Sequence, residues 1–223
     1  MQFRHECKHQ ISVCDMMILR QRLSAVMKKD AHAVNGKYEI RSLYFDNLYD
    51  KALREKMDGV NIREKFRVRY YNGDTSLIHL EKKSKYGGLG NKQSVMISET
   101  EANAILLGDL DFMRDESRPL LYELYSKMKT QGLEPKTIVD YTREPFVFSA
   151  GNVRVTLDYN IRTGLSRTDF LNADCPTIPV PDNPIILEVK WDEFLPDVIR
   201  DAVNIDGRRT SAFSKYAACR MYD

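Results

Sequence analysis

The stretch Arg63-Glu64-Lys65-Phe66-Arg67-Val68-Arg69-Tyr70-Tyr71 constrains this chain more than any other. In a strand, successive side chains face opposite ways. Arg63, Lys65, Arg67 and Arg69 then share one face, and Phe66, Val68 and Tyr70 share the other with Glu64. Two unit charges about 6 Å apart at an effective dielectric of about 20 repel by roughly 3 kcal/mol. Open water screens most of that repulsion. An enclosed face does not, and it would call for a multiply charged anion. What the chain is therefore depends on whether its other segments enclose this face.

The flanking sequence supplies strands and helices in a definite order. Residues 3–11 alternate, with Arg4, Glu6 and Lys8 on one face. Ser12 opens a helix with Asp15 in its first turn as a capping box. Its apolar positions are Met16, Leu19, Leu23, Val26 and Met27. Asn35-Gly36 marks a turn, and Tyr38 to Asp46 reads as a strand in which Arg41 shares a face with Glu39 and Leu43. Asn47 caps a short helix ending near Asp58-Gly59. After the basic strand, Asn72-Gly73 joins it to a strand over 76–85 as a hairpin. That places Leu77, His79, Glu81, Lys83 and Lys85 on one face, with Lys83 and Lys85 beside the arginines.

A glycine-rich loop at 87–90 lacks the spacing of a phosphate-binding P-loop. A strand over 91–97 follows, with Lys92, Ser94 and Met96 on one face. Helices are expected at 98–107, opened by the capping box Ser98-Glu99-Thr100-Glu101, and at about 119–129. Strands over 136–148 and 152–161 put Tyr141 and Arg143 on one face, and Arg154, Thr156 and Asp158 on another. A proline-rich loop over 171–184 leads to a strand in which Ile186, Glu188, Lys190 and Asp192 oppose Ile185, Leu187, Val189 and Trp191. A helix at about 196–203 and a last one near Ser214-Lys215-Tyr216 complete the chain. The tally predicts α+β with an eight-stranded antiparallel sheet. Eight strands are enough to close a barrel with helices packed outside, which would turn the charged face into an interior. A half-buried sheet with one solvated face gives the same alternation, but it would mix the signs on strand 63–71.

Charge totals sharpen this. The 223 residues carry 34 Lys and Arg against 32 Asp and Glu, a net charge of +2. An anion site must therefore come from local sorting of charge. The basic residues lack interleaved stacking aromatics, which argues against a nucleic-acid partner. Cys7, Cys14, Cys175 and Cys219 have no metal-binding spacing and read as free thiols of a reducing cytoplasm. There is neither a signal-peptide core nor an apolar run long enough to span a membrane.

Several short motifs recur in an ordered series: Arg4-x-Glu6-x-Lys8, Arg41-Ser-Leu-Tyr-Phe-Asp46, Lys65-Phe-Arg67-Val-Arg69-Tyr70, Leu80-Glu81-Lys-Lys83, Tyr141-x-Arg143, Arg154-Val-Thr-Leu-Asp158, Leu187-Glu188-Val-Lys190 and Phe213-Ser214-Lys215-Tyr216. In order and spacing they resemble the VTC-type polyphosphate polymerase domain (vacuolar transporter chaperone family) of the triphosphate tunnel metalloenzyme superfamily. The resemblance runs from Phe3 to about Arg220 and treats residues 1–223 as one catalytic domain. It implies a closed eight-stranded tunnel that binds ATP and transfers its γ-phosphoryl group to a growing polyphosphate chain with Mn²⁺ or Mg²⁺. The residue types suit that chemistry, which is chiefly positioning and charge stabilisation, with guanidinium forks for phosphate and hard oxygen ligands for the metal.

By family position, Arg67, Arg69, Arg143, Lys190 and Lys215 would act on the reacting phosphates. Lys8, Arg41, Lys65, Lys83, Lys92, Tyr141, Arg154 and Ser214 would bind the chain. Glu188 and Glu6 would hold the metal, with Glu81 and Asp158 as further carboxylates that could instead pair with cations. Two departures stand out. Arg4 replaces the first Glu of the Glu-x-Glu-x-Lys opening found in many tunnel enzymes, which follows the polymerase branch. Ala212 stands where a basic residue is expected, with Arg208 and Arg209 as substitutes. The length leaves no room for a membrane anchor, so coupling to transport implies a separate membrane-protein partner. A tripolyphosphatase or nucleoside triphosphatase using the same tunnel, and a non-catalytic polyphosphate-binding module, remain as alternatives.

Overall fold

The structure is a computed structural model that describes residues 4–114 and 116–221. Phe3, read into the first strand, lies outside the described residues. The fold is α+β. Its long strands are β1 (His5–Ile11), β3 (Tyr38–Asp46), β4 (Ile62–Tyr71), β5 (Asp74–Tyr86), β6 (Leu89–Ile97), β7 (Glu134–Phe148), β8 (Val153–Thr163) and β10 (Ile185–Trp191). They form one antiparallel sheet in the order β1-β10-β8-β7-β3-β4-β5-β6. Two short strands were not anticipated: β2 (Lys28–Lys29), which pairs with β7, and β9 (Ile178–Pro179), which pairs with β8. The first falls just after Met27, the last apolar position expected of the first helix. The second lies inside the proline-rich loop.

Local chemistry sets the connections. Asn72 and Gly73 both have positive φ, 53° and 75°. This is the geometry of a two-residue turn matched to the twist of a hairpin, and it fixes the register of β4 on β5. Helix α1 (Val13–Val26) starts at Ser12, with both halves of the capping box made to Asp15, and α3 (Glu99–Leu107) starts at Ser98 with the same box to Glu101. Helix α2 (Lys51–Met57) is held largely by Asp46, whose carboxylate accepts from the backbone N–H groups of Ala52 and Leu53 at 2.8 and 3.1 Å. The remaining helices are α4 (Pro119–Gln131), α5 (Asp197–Val203) and α6 (Lys215–Cys219).

Alternation then sorts the strands. Leu43, Phe66, Val68, Ile78 and Leu80 pack outward against Ala102 and Ile105 of α3 and Leu120, Leu121 and Leu124 of α4. Val155, Leu157, Leu187 and Val189 pack outward against Leu19 and Leu23 of α1 and Ile199 of α5. Burying such side chains contributes roughly 1.5–3 kcal/mol each. With helices on the convex side, the charged residues take the concave side. Helix α6 enters that side, with Tyr216 packed among Tyr44, Val139, Tyr141 and Ile186.

The antiparallel sheet is as expected, whereas its closure into a barrel is not seen in the strand ladder. Among the described residues the ladder runs from β1 to β6, and these edge strands meet at the bridge from Arg4 to Gly90. The reason lies on β1. Its free edge is taken by the C-terminal segment: His9 bridges Thr210, and Ser211 N–H donates to the Lys8 carbonyl at 2.7 Å. Only the start of β1 is left to reach β6. Among the described residues, no helix is long and apolar enough to cross a membrane.

Candidate functional site

Among the described residues, nine cations cluster at the centre of the concave face: Lys8, Lys65, Arg67, Arg69, Lys83, Lys92, Arg143, Lys190 and Lys215. Four carboxylates stand among them: Glu6, Glu81, Asp158 and Glu188. Each carboxylate organises its neighbours. Glu81 is 2% exposed and accepts from Arg67 Nε and NH2 at 2.7 and 2.5 Å and from Lys92 Nζ at 3.0 Å. Burial pushes its pKa up, but Arg67, Arg69 and Lys92 outweigh that and hold it far below the usual range. Asp158 is fully buried and takes both forks of Arg143 at 2.7 Å and Lys215 Nζ at 2.5 Å. Glu188 is bracketed by Lys190 at 2.7 Å, Lys8 at 3.3 Å and Arg143 at 3.7 Å. Glu6 meets Lys8 at 2.6 Å and Lys190 at 3.4 Å. Burial and Glu188 raise the Glu6 pKa, while Lys83, Lys8 and Lys190 lower it to about 2. All four are therefore carboxylates at neutral pH.

The cations exceed these partners. Lys83 is held well below its ordinary pKa, first by Lys190 from across the concave face and then by burial. Burial lowers the Lys65 pKa to about 8, with Arg67 and Lys8 adding repulsion against the help of Tyr44 and Glu6. Groups on β4 and β5 thus feel groups on β1 and β10, so the sheet curls far enough for its two ends to face each other. Arg69 is 3% exposed. Its Nε donates to Ser42 Oγ at 2.8 Å, but its NH2 is buried with no hydrogen-bond partner, as is Thr156 Oγ1. A buried donor left open costs about 1–3 kcal/mol, and a phosphate oxygen would satisfy it. Tyr141 presents its ring to Lys215 at 4.6 Å, Arg143 at 5.4 Å and Arg69 at 5.6 Å.

The structure brings most of the expected site residues together: Glu6, Lys8, Lys65, Arg67, Arg69, Lys83, Lys92, Tyr141, Arg143, Glu188, Lys190 and Lys215. It does not bring in Arg41, and that expectation is corrected. Arg41 lies on the convex side, as its shared face with Leu43 required. There its Nε and NH2 grip Asp140 at 3.0 and 2.9 Å, and its NH1 donates to the Asn172 carbonyl at 2.6 Å. It ties β3 to β7 and to the following loop. Arg154 faces inward at the rim, where Asp30 holds it at 3.0 Å. Ser214 is the N-cap of α6, accepting from Ala217 N–H at 3.4 Å. The sequence reading missed Ser42 and Tyr44, which support the arginines. Their positions two residues apart on the inward face of 38–46 were the available signal.

A divalent metal is implied by the resemblance. Among the described residues, no three His, Cys, Asp or Glu side chains converge on one point. Glu6 and Glu188 nevertheless fit the way Mg²⁺ or Mn²⁺ is often held on a polyphosphate. One or two protein carboxylates suffice there, and phosphate and water supply the other ligands.

Comparison with known proteins bears on this arrangement. A family model described as VTC domain matches residues 3–222. No curated protein sequence matches. Among chains of known structure, the PH1012 protein from Pyrococcus horikoshii OT3 is similar at 12% identity with a TM-score of 0.51, over 95% of this chain and 96% of that one. The PH1819 protein from the same organism matches at 14% identity with a TM-score of 0.44, over 90% of this chain and 84% of that one. At such identities the PH1012 likeness concerns the fold alone, and the weaker PH1819 match adds nothing to it.

Proposed function

The chain belongs to the VTC-domain family, and on that premise we propose that it is an ATP-dependent polyphosphate polymerase. The bond between the γ-phosphorus of ATP and the β–γ bridging oxygen breaks. A bond forms to a terminal oxygen of the polyphosphate chain, and ADP leaves. The observation that supports this reading is the uncompensated charge at the centre of the concave face, nine cations against four carboxylates among the described residues. A linear polyanion is the ligand that such an excess accommodates.

In this reading Arg67, Arg69, Arg143, Lys190 and Lys215 neutralise the reacting phosphates. They are prepositioned by Glu81, Asp158 and Glu188, so little reorganisation is needed when charge shifts. Lys8, Lys65, Lys83, Lys92 and Tyr141 line the path of the chain, with Arg154 at its rim and Ser214 fixing the helix that presents Lys215. Glu6 and Glu188 would hold Mn²⁺ or Mg²⁺, which supplies further neutralisation of the phosphate oxygens. The curled sheet serves as a tunnel wall. We place the protein in the cytoplasm, a reading supported by its four free cysteines, with transport left to a membrane-protein partner.

The test is a product assay with ATP and Mn²⁺, following both chain formation and free phosphate. A ladder of long chains with ADP supports the polymerase. Free phosphate without chains replaces it with a triphosphatase. A second reading, a non-catalytic polyphosphate-binding module, draws support from the lysines that already occupy Glu6 and Glu188. Glu188→Gln separates the two: a binder keeps or gains anion affinity, whereas an enzyme loses metal-dependent turnover.

A further inference from the structure

Arg63 and Lys85 continue the inward face of β4 and β5 by one step beyond Lys65 and Lys83, and the site described above does not use them. Their register is unusual. Arg63 lies directly opposite Lys85, Lys65 opposite Lys83, and Lys83 opposite Lys92. Like charges directly across a ladder are destabilising, and here three such pairs occur in adjoining strands. Helix α2 adds to them. Lys56 sits close enough to Arg63, Lys8 and Lys85 that they depress its pKa, in addition to the effect of burial. Among the described residues, neither Lys56, Arg63 nor Lys85 forms an ion pair. Arg63 spends one donor on the Val60 carbonyl and keeps the rest of its fork.

We infer that Lys56, Arg63 and Lys85 form an outer subsite for the phosphate chain, at the mouth between α2 and the adjoining ends of β4 and β5. This deepens the proposed function and rests on it. The inner cations suffice for a triphosphate, and the outer three hold the units beyond it. The ligand class is therefore a linear polyphosphate longer than three phosphates. The subsite is a binding station with no chemistry of its own.

The experiment compares inorganic tripolyphosphate with long-chain polyphosphate by calorimetry, in the wild type and in the triple variant Lys56→Ala/Arg63→Ala/Lys85→Ala. These side chains lie at the rim, and a thermal melt checks that the variant folds. The single variant Lys85→Ala, at an exposed position, repeats the comparison if the triple does not fold. The expected result is unchanged tripolyphosphate affinity and a loss of about tenfold for the long chain, roughly what three solvent-exposed ion pairs supply together. Equal loss for both ligands would overturn the inference by placing these residues in the inner site. No loss for either would overturn it by making them ordinary surface. A wild type that bound tripolyphosphate, but long chains no more tightly, would sink the outer subsite while the proposed function stood. A wild type that bound neither would remove both.

Discussion

Glu81 shows how one residue can decide whether the site holds together. It lies between Arg67, Arg69 and Lys92 on the concave face. Breaking a buried ion pair by removing one partner costs about 3–5 kcal/mol. Glu81→Gln should therefore lower stability by about that much in chemical denaturation, and tripolyphosphate should restore a large part of it by replacing the lost charge. Unchanged stability would mean that the arginines do not depend on this carboxylate. Tyr44 offers a second reading at this scale. Burial raises its pKa, but Arg67, Lys65 and Arg69 overcome that and hold the phenol at about 7. Arg67 NH1 donates to its oxygen at 2.7 Å. Between about pH 7 and the ordinary tyrosine value near 10, the folded state binds fewer protons than the unfolded one. Its contribution to stability is thus absent below about pH 7 and grows as pH rises through that window. Tyr44→Phe should flatten the rise of melting temperature with pH, and an identical slope in the variant would refute the assignment. At this scale the sequence was a good guide wherever strand alternation applied, as for Lys65, Arg67, Arg69, Glu188 and Lys190. Arg41 shows the limit: its alternation with Leu43 pointed outward, and the motif match overrode it. Pairings such as Lys8 with Glu188 and Lys215 with Asp158 were not legible, because those partners lie far apart in the chain.

At the scale of elements, β4, β5 and β6 are strained together by their opposed cations. Their backbone ladder and the outward core of Phe66, Val68, Ile78 and Leu80 hold them against that repulsion. A bound anion removes the strain where it arises. Tripolyphosphate at about one hundred times its dissociation constant should stabilise by about 2.7 kcal/mol. Slowing of amide exchange by hydrogen–deuterium mass spectrometry should be greatest on these three strands and least on the end of β8 toward Thr163. Even protection along the chain would argue that the ladder is not where the anion acts. Helices α1 and α3 were readable from their capping boxes, and the β4–β5 hairpin from Asn72-Gly73. Strands β2 and β9 were not, since two residues leave no period to detect. Nor was the placement of α6 inside the concave face, which depends on Asp46 and Asp158 receiving Tyr216 and Lys215.

For the whole molecule, the sorting of charge matters more than its total. Among the described residues, nine cations gather at the centre of the concave face against four carboxylates, although the whole chain has a net charge of only +2. Screening by salt should therefore raise the melting temperature of the free protein while weakening tripolyphosphate binding, since it relieves repulsion inside and competes for the same cations. A melting temperature indifferent to salt would show that the interior is not self-repelling. The seam between β1 and β6 governs how such an interior exchanges its contents. A hoop of continuous hydrogen bonds can be left by a polymer only past one of its ends, in a time that grows with length. Where β1 and β6 meet, among the described residues, at the bridge from Arg4 to Gly90, the wall is closer to a clasp. A strand of any length that lies within such a wall has a sideways route out at the seam, in a time that does not grow with its length.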